Sequence, residues 1–182
     1  MRKVILIGGV LASGKSTYSQ IIKEKYNLNV INKDHLKEIL GDNIHVLTRE
    51  ENLKLSKASF DIMKYLLISN EDTIVLESNF KNSELVELKN LLYELDYKVL
   101  SLVFDAKDEI LHERFLKRLN SNRHYVHKSQ DFTNIIDFKK TLNELRSVSY
   151  FGHIINIRCD DFSYQNDEIV FHEIEEFISS KN

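Results

Sequence analysis

Two kinds of apolar pattern alternate along the chain. Short unbroken runs rich in branched residues, such as Val4-Ile5-Leu6-Ile7, suit strands covered on both faces of a parallel sheet. Similar runs recur at 29–32, 73–76, 99–104 and 153–157. Between them, apolar residues return every three or four positions, which lines one side of a helix. Tyr18, Ile21, Ile22 and Tyr26 mark the first such stretch. Leu36, Ile39 and Leu40 mark a short one at about 34–40, ended by Gly41-Asp42-Asn43. Leu53, Leu55, Phe60, Met63, Leu66 and Leu67 predict a long helix over 50–68, with others expected at 84–95, 109–119, 138–145 and 168–178. Strands alternating with helices predict an α/β fold, a parallel sheet of about five strands with helices on both faces and right-handed crossovers.

Composition narrows the class. A chain of 182 residues with 42% hydrophobic and 29% charged residues has the size and balance of one globular domain, expected to span 1–182. Cys159 is the single cysteine, so no disulfide can form within the chain. No apolar run approaches the roughly 18 residues needed to span a bilayer, and the run before Gly8 is too short for a signal peptide's apolar core. A cytoplasmic protein without a membrane partner is expected. The net charge of -3 lacks the overall positive excess of a dedicated nucleic-acid binder, leaving room only for a local basic patch.

The strongest chemical signal follows the first strand. Gly9-Val10-Leu11-Ala12-Ser13-Gly14-Lys15-Ser16 matches the phosphate-loop pattern G-x-x-x-x-G-K-[ST] at every fixed position, in the strand-to-helix setting that the pattern requires. Gly9, Ala12, Ser13 and Gly14 would wrap backbone N–H groups round the phosphates, with the positive end of the next helix aimed at them. Lys15 would reach the β- and γ-phosphates, Ser16 would bind Mg²⁺, and Thr17 is placed for the α-phosphate. The alternative is a glycine turn that binds nothing. A GTPase is excluded, because Gly41 and Gly152 are preceded three residues earlier by Glu38 and Ser149 rather than Asp, and Asn32-Lys33-Asp34 continues with His35.

Taken together, the phosphate loop, Asp34, Glu77-Ser78-Asn79 and the arginines after Glu113 resemble a family of small P-loop kinases. That family includes the polynucleotide 5′-hydroxyl kinases, zeta-toxin-like enzymes and chloramphenicol-phosphotransferase-like enzymes. The resemblance implies a P-loop NTPase three-layer sandwich with strand order 2-3-1-4-5, ATP and Mg²⁺ as cofactors, and a lid at about 114–130. It also implies that Asp34 accepts the proton of the attacking hydroxyl; the other reading is that Asp34 merely caps the short helix, and the two roles can coexist. Lys37 stands where polynucleotide kinases carry an arginine for the substrate phosphate, and a solvated lysine is the other reading. Glu77, where the family more often has Asp, would support the metal at the sheet edge. Ser78 and Asn79 are placed to contact the acceptor.

Arg114, Arg118 and Arg123 match the lid arginines that neutralise the transferring phosphate, with Arg118 and Arg123 the preferred pair. The competing reading is the wet face of a helix. His124, His127 and Lys128 extend the basic stretch without metal-ligand spacing. Asp160-Asp161 reads as a helix start rather than a metal site, in the region where such kinases hold adenine. The expected function is ATP-dependent transfer to a hydroxyl of a small-molecule or nucleoside-like acceptor. A polynucleotide end is the less favoured acceptor, and an ATP-binding regulatory module is the alternative of another class.

Overall fold

The computed structural model describes residues 2–120, 124–127 and 134–180. In chain order its elements are β1 (Arg2–Gly9), α1 (Lys15–Tyr26), β2 (Asn29–Asn32), α2 (Lys33–Asn43), α3 (Arg49–Ile68), β3 (Ile74–Glu77), α4 (Asn82–Glu94), β4 (Tyr97–Asp105), α5 (Asp108–Leu119), α6 (Ile135–Arg146), β5 (His153–Arg158) and α7 (Glu168–Ser179). Single 3₁₀ turns occupy Tyr125–His127 and Ser163–Asn166. The five strands form one parallel sheet in the order β2-β3-β1-β4-β5, as the resemblance implies.

Alternation within β1 explains the layers. Ile5 and Ile7 point into a core shared with Tyr18 and Ile22 of α1, Phe115 of α5, Phe138 of α6 and Ile174 of α7. Val4 and Leu6 point the other way, onto Phe60, Met63 and Leu67 of α3 and Leu85, Leu88 and Leu92 of α4. Side chains on successive strand residues face opposite ways, so an apolar strand of this kind needs helices on both sides. Parallel register then brings the strand ends together: Ile7 and Asn32 both pair with Glu77, and Gly9 pairs with Phe104. In such sheets this carboxyl edge is where ligands collect.

Helix boundaries follow local chemistry. Thr48 and Glu51 form a reciprocal capping box that starts α3, and Asp167 accepts from Ile169 and Val170 N–H to start α7. Two expectations need correcting. Gly41 does not end α2, which runs on to Asn43; its missing side chain makes room for Val126, whose Cγ1 would lie 2.5 Å from an added Cβ. Leu53 and Leu66 follow the helical period of α3 yet are exposed, while Ser59 is buried, because α3 presents a narrower stripe to the sheet than the pattern suggests.

Candidate active site

The phosphate loop joins β1 to α1 and is shaped by close contacts. Gly9 has φ +119°, and an added Cβ would lie 2.1 Å from the Phe104 carbonyl, so only glycine allows β1 to end this close to β4. Ala12 takes a left-handed φ of +58°. Gly14 precedes α1, which has neither a side-chain cap nor an acidic residue in its first turn. Its leading N–H groups are therefore not claimed by a side chain, and with the helix dipole they suit an anion.

Lys15 is buried, and its ammonium donates to the Val10 carbonyl and to Ser13 Oγ, 3.2 Å away. Burial pushes it down to about 8, against upward pulls from Glu77 and Asp34 and a further downward push from Arg118. A cation held among neutral partners in this way lacks the charge that a phosphate would supply.

Beside it, Ser16 Oγ donates to Glu77 Oε1 at 2.6 Å, and Ser19 Oγ donates to Glu77 Oε2 at 2.5 Å. A hydroxyl and a carboxylate at the mouth of a phosphate loop form an all-oxygen donor set suited to Mg²⁺, which takes few protein ligands and completes its shell with phosphate and water. Among the described residues no three His, Cys, Asp or Glu side chains gather as a metal cage.

Three cavities open on this edge, and Asp34 lines all of them. The first, about 330 Å³, runs from Ala12, Ser13, Gly14, Lys15, Ser16 and Thr17 past Glu77 to Arg114, Arg118 and Phe162. The second, about 390 Å³, shares Leu11, Asp34, Ser78 and Asn79 with the first and is bounded by Lys37, Lys81, Thr141 and Glu144. The third, about 610 Å³, shares Ser16, Glu77 and Arg118 with the first and is lined by Lys23, His35, His124 and His127. Asn79 Oδ1 is buried without a hydrogen-bond partner among the described residues.

Asp34 is not the cap of α2. Asn32 fills that role, its Oδ1 accepting from His35 N–H at 3.0 Å, which leaves the Asp34 carboxylate in the first turn facing the cavities. Lys37 lines the second cavity but is not a merely solvated lysine: its ammonium donates to Asn52 Oδ1 and, at 3.3 Å, to the Val126 carbonyl.

Arg118 faces the phosphate cavity, whereas Arg123 and Lys128 lie outside the described residues. Arg114 is anchored, donating to the Cys159 carbonyl at 2.7 Å with its guanidinium 5.2 Å from the centre of the Phe162 ring. His124 and His127 pair with Asp42 at 2.9 Å and Glu38 at 3.0 Å on α2, so they fasten this segment rather than bind metal. Asp160 and Asp161 divide the task expected of them. Asp161 starts the 3₁₀ turn by accepting from Ser163 N–H, while Asp160 accepts from Lys107 N–H just before α5.

Several site residues escaped the sequence reading. Tyr150 Oη accepts from Gly9 N–H at 2.7 Å, and Tyr164 Oη packs against Gly14. Both are ordinary aromatics, Tyr150 in a loop and Tyr164 in the second 3₁₀ turn, with no spacing that ties them to the phosphate loop. Ser19 does carry a signal, since it follows Ser16 by one helical turn.

A family model described as an AAA domain matches residues 4–134. The chain belongs to this family. Among curated proteins, none matches the sequence. Of solved structures, a candidate kinase from Chloroflexus aurantiacus superposes with a TM-score of 0.81 at 19% identity, covering 97% of this chain and 98% of the other. The Deinococcus radiodurans tunicamycin resistance protein gives 0.61 at 14% identity, with 100% and 98% covered. A gluconokinase from Sinorhizobium meliloti gives 0.55 at 16% identity, with 98% and 97% covered. At these identities the likeness establishes a shared fold.

Proposed function

We propose that the protein is an ATP-dependent kinase that moves the γ-phosphate to a hydroxyl of a small-molecule acceptor. The observation that carries this reading is the position of Asp34, the carboxylate that lines both the phosphate-loop cavity and the adjoining cavity of about 390 Å³. An acceptor in the second cavity would meet a base at the point where the two spaces join. Its oxygen would bond to the γ-phosphorus, its proton would pass to Asp34, and the bond from the γ-phosphorus to the bridging oxygen would break to release ADP.

The surrounding residues have matching tasks in this scheme. Lys15 and the N–H groups of the loop hold the phosphates, and Arg118 faces the same cavity with a charge for the transferring group. Ser16 and Glu77 would hold Mg²⁺, which when bound supplies charge neutralisation on the phosphate oxygens. Ser78 and Asn79 lie where the cavities meet, placed for contact with the acceptor. ATP is proposed over GTP from the family resemblance.

The charge of the second cavity supports a small acceptor over a polynucleotide. Three lysines line it, Lys33, Lys37 and Lys81, but Lys33 is already paired with Glu84 outside the lining, and the carboxylates of Asp34 and Glu144 stand in the same lining. A polynucleotide track requires an excess of positive charge.

Label transfer from γ-labelled ATP to a panel of nucleosides, sugars, aminoglycoside- and chloramphenicol-like compounds and 5′-hydroxyl oligonucleotides tests the reading. Transfer to one small acceptor that is lost in Lys15→Ala is the expected result. Asp34→Asn should keep ATP binding and slow transfer by about 10²–10⁴-fold; full activity in that variant removes Asp34 as the base. Salt-sensitive labelling of oligonucleotides alone would point to a polynucleotide kinase. Tight Mg-ATP binding without transfer would point to a regulatory module.

A further inference from the structure

We propose that Ser19 is a positioning residue for the metal carboxylate, holding the far oxygen of Glu77 so that the near oxygen stays at Ser16. This rests on the reading of Ser16 and Glu77 as the Mg²⁺-holding pair. Ser16 and Ser19 are three residues apart on α1 and so share a side of the helix. Glu77 ends β3, and its side chain is gripped from both oxygens: Ser16 Oγ at 2.6 Å on Oε1 and Ser19 Oγ at 2.5 Å on Oε2.

Burial gives the grip its force. Ser19 and Glu77 are each only 4% exposed, and a buried carboxylate with an unbonded oxygen is costly. Ser19 Oγ also lies 3.1 Å from the Ser16 carbonyl, but a hydroxyl has one proton to donate, and the shorter contact is to Glu77. Glutamate has one more methylene and one more rotatable bond than aspartate, so its carboxylate reaches the loop with a torsion to spare. The Ser19 hydroxyl removes that freedom and fixes the orientation in which the carboxylate meets Ser16.

The readout is the gain in nucleotide affinity on adding Mg²⁺, measured by titration calorimetry with a non-hydrolysable ATP analogue in the presence of Mg²⁺ and of chelator. Ser19→Ala is expected to reduce that gain about tenfold, the scale of one hydrogen bond to a charged group, while leaving metal-free affinity unchanged. Ser19→Thr should retain the gain. Ser19→Cys, which keeps the volume but offers a weak donor, should lose it and serves if the alanine variant does not fold. Mn²⁺ binding to the nucleotide complex, followed by electron paramagnetic resonance, should weaken in parallel. An unchanged Mg²⁺ gain in Ser19→Ala overturns the proposal, and so does an equal loss with and without metal, which would mark a purely structural role. Glu77→Gln separates the two levels. If it leaves the Mg²⁺ gain intact, the metal-site reading itself fails; if it abolishes the gain while Ser19→Ala does not, only the role of Ser19 fails.

Discussion

Lys15 shows how much of this site depends on a single side chain and its surroundings. Its ammonium is buried against a carbonyl and a hydroxyl and is held down at about 8, below its usual 10.5. A bound triphosphate favours the charged form and raises that value again. Above pH 8 the free protein has lost this proton and the complex has regained it, so binding should take up a proton and weaken as pH rises from 8 towards 10. Calorimetry at pH 8.5 in two buffers of different ionisation heat reads the uptake directly, and equal heats would show that the ammonium is not depressed. The residue types of the phosphate loop were legible because the motif places them at fixed spacing. The proposed base, Asp34, was suggested by resemblance alone, and its competing role as a cap could be assigned to Asn32 only once the start of α2 was seen.

At the scale of elements, the segment at 124–127 is fastened to α2 and α3. Tyr125 Oη donates to the Gly41 carbonyl, and the Val126 carbonyl accepts from Asn52 Nδ2 at 2.8 Å. His124 and His127 reach Asp42 and Glu38, and Val126 itself is buried over Gly41. Glycine inside a helix costs about 1 kcal/mol relative to alanine, so Gly41 is retained against propensity for the sake of this contact. Gly41→Ala should improve α2 locally yet push Val126 away, raising amide hydrogen exchange at 124–127 well above the native level. Unaltered protection there would show that the turn is held by its polar bonds alone. The helical period marked α2 correctly up to Leu40 but misjudged its end, because the reason for Gly41 is a partner about 85 residues away.

Across the whole molecule, the first strand is tied to the last helix. Lys3 is buried, and its ammonium donates to the carbonyls of Ile178 at 2.6 Å and Ser180 at 2.7 Å, satisfying groups that the end of α7 leaves open. Lys3→Met should cost about 1–3 kcal/mol and lower the thermal midpoint by roughly 2–4 °C for each kcal/mol, without altering nucleotide affinity. A midpoint within error of the parent would show that solvent already satisfies those carbonyls. Among the described residues no helix is long and apolar enough to cross a membrane.

The sequence by itself determined the alternation of strands and helices, the two-faced burial of the sheet and the phosphate loop, because each rests on spacing within one short segment. Tertiary structure alone decided that Glu77 is held between Ser16 and Ser19, why Gly41 sits inside a helix, and which aromatics close on Gly8, Gly9 and Gly14. It also decided that Asp34 lines three adjoining cavities rather than capping a helix. Apart from the local bond between Asn32 and His35, those outcomes depend on contacts between residues tens to more than a hundred positions apart. Only the packing of helices over the parallel sheet brings such residues together.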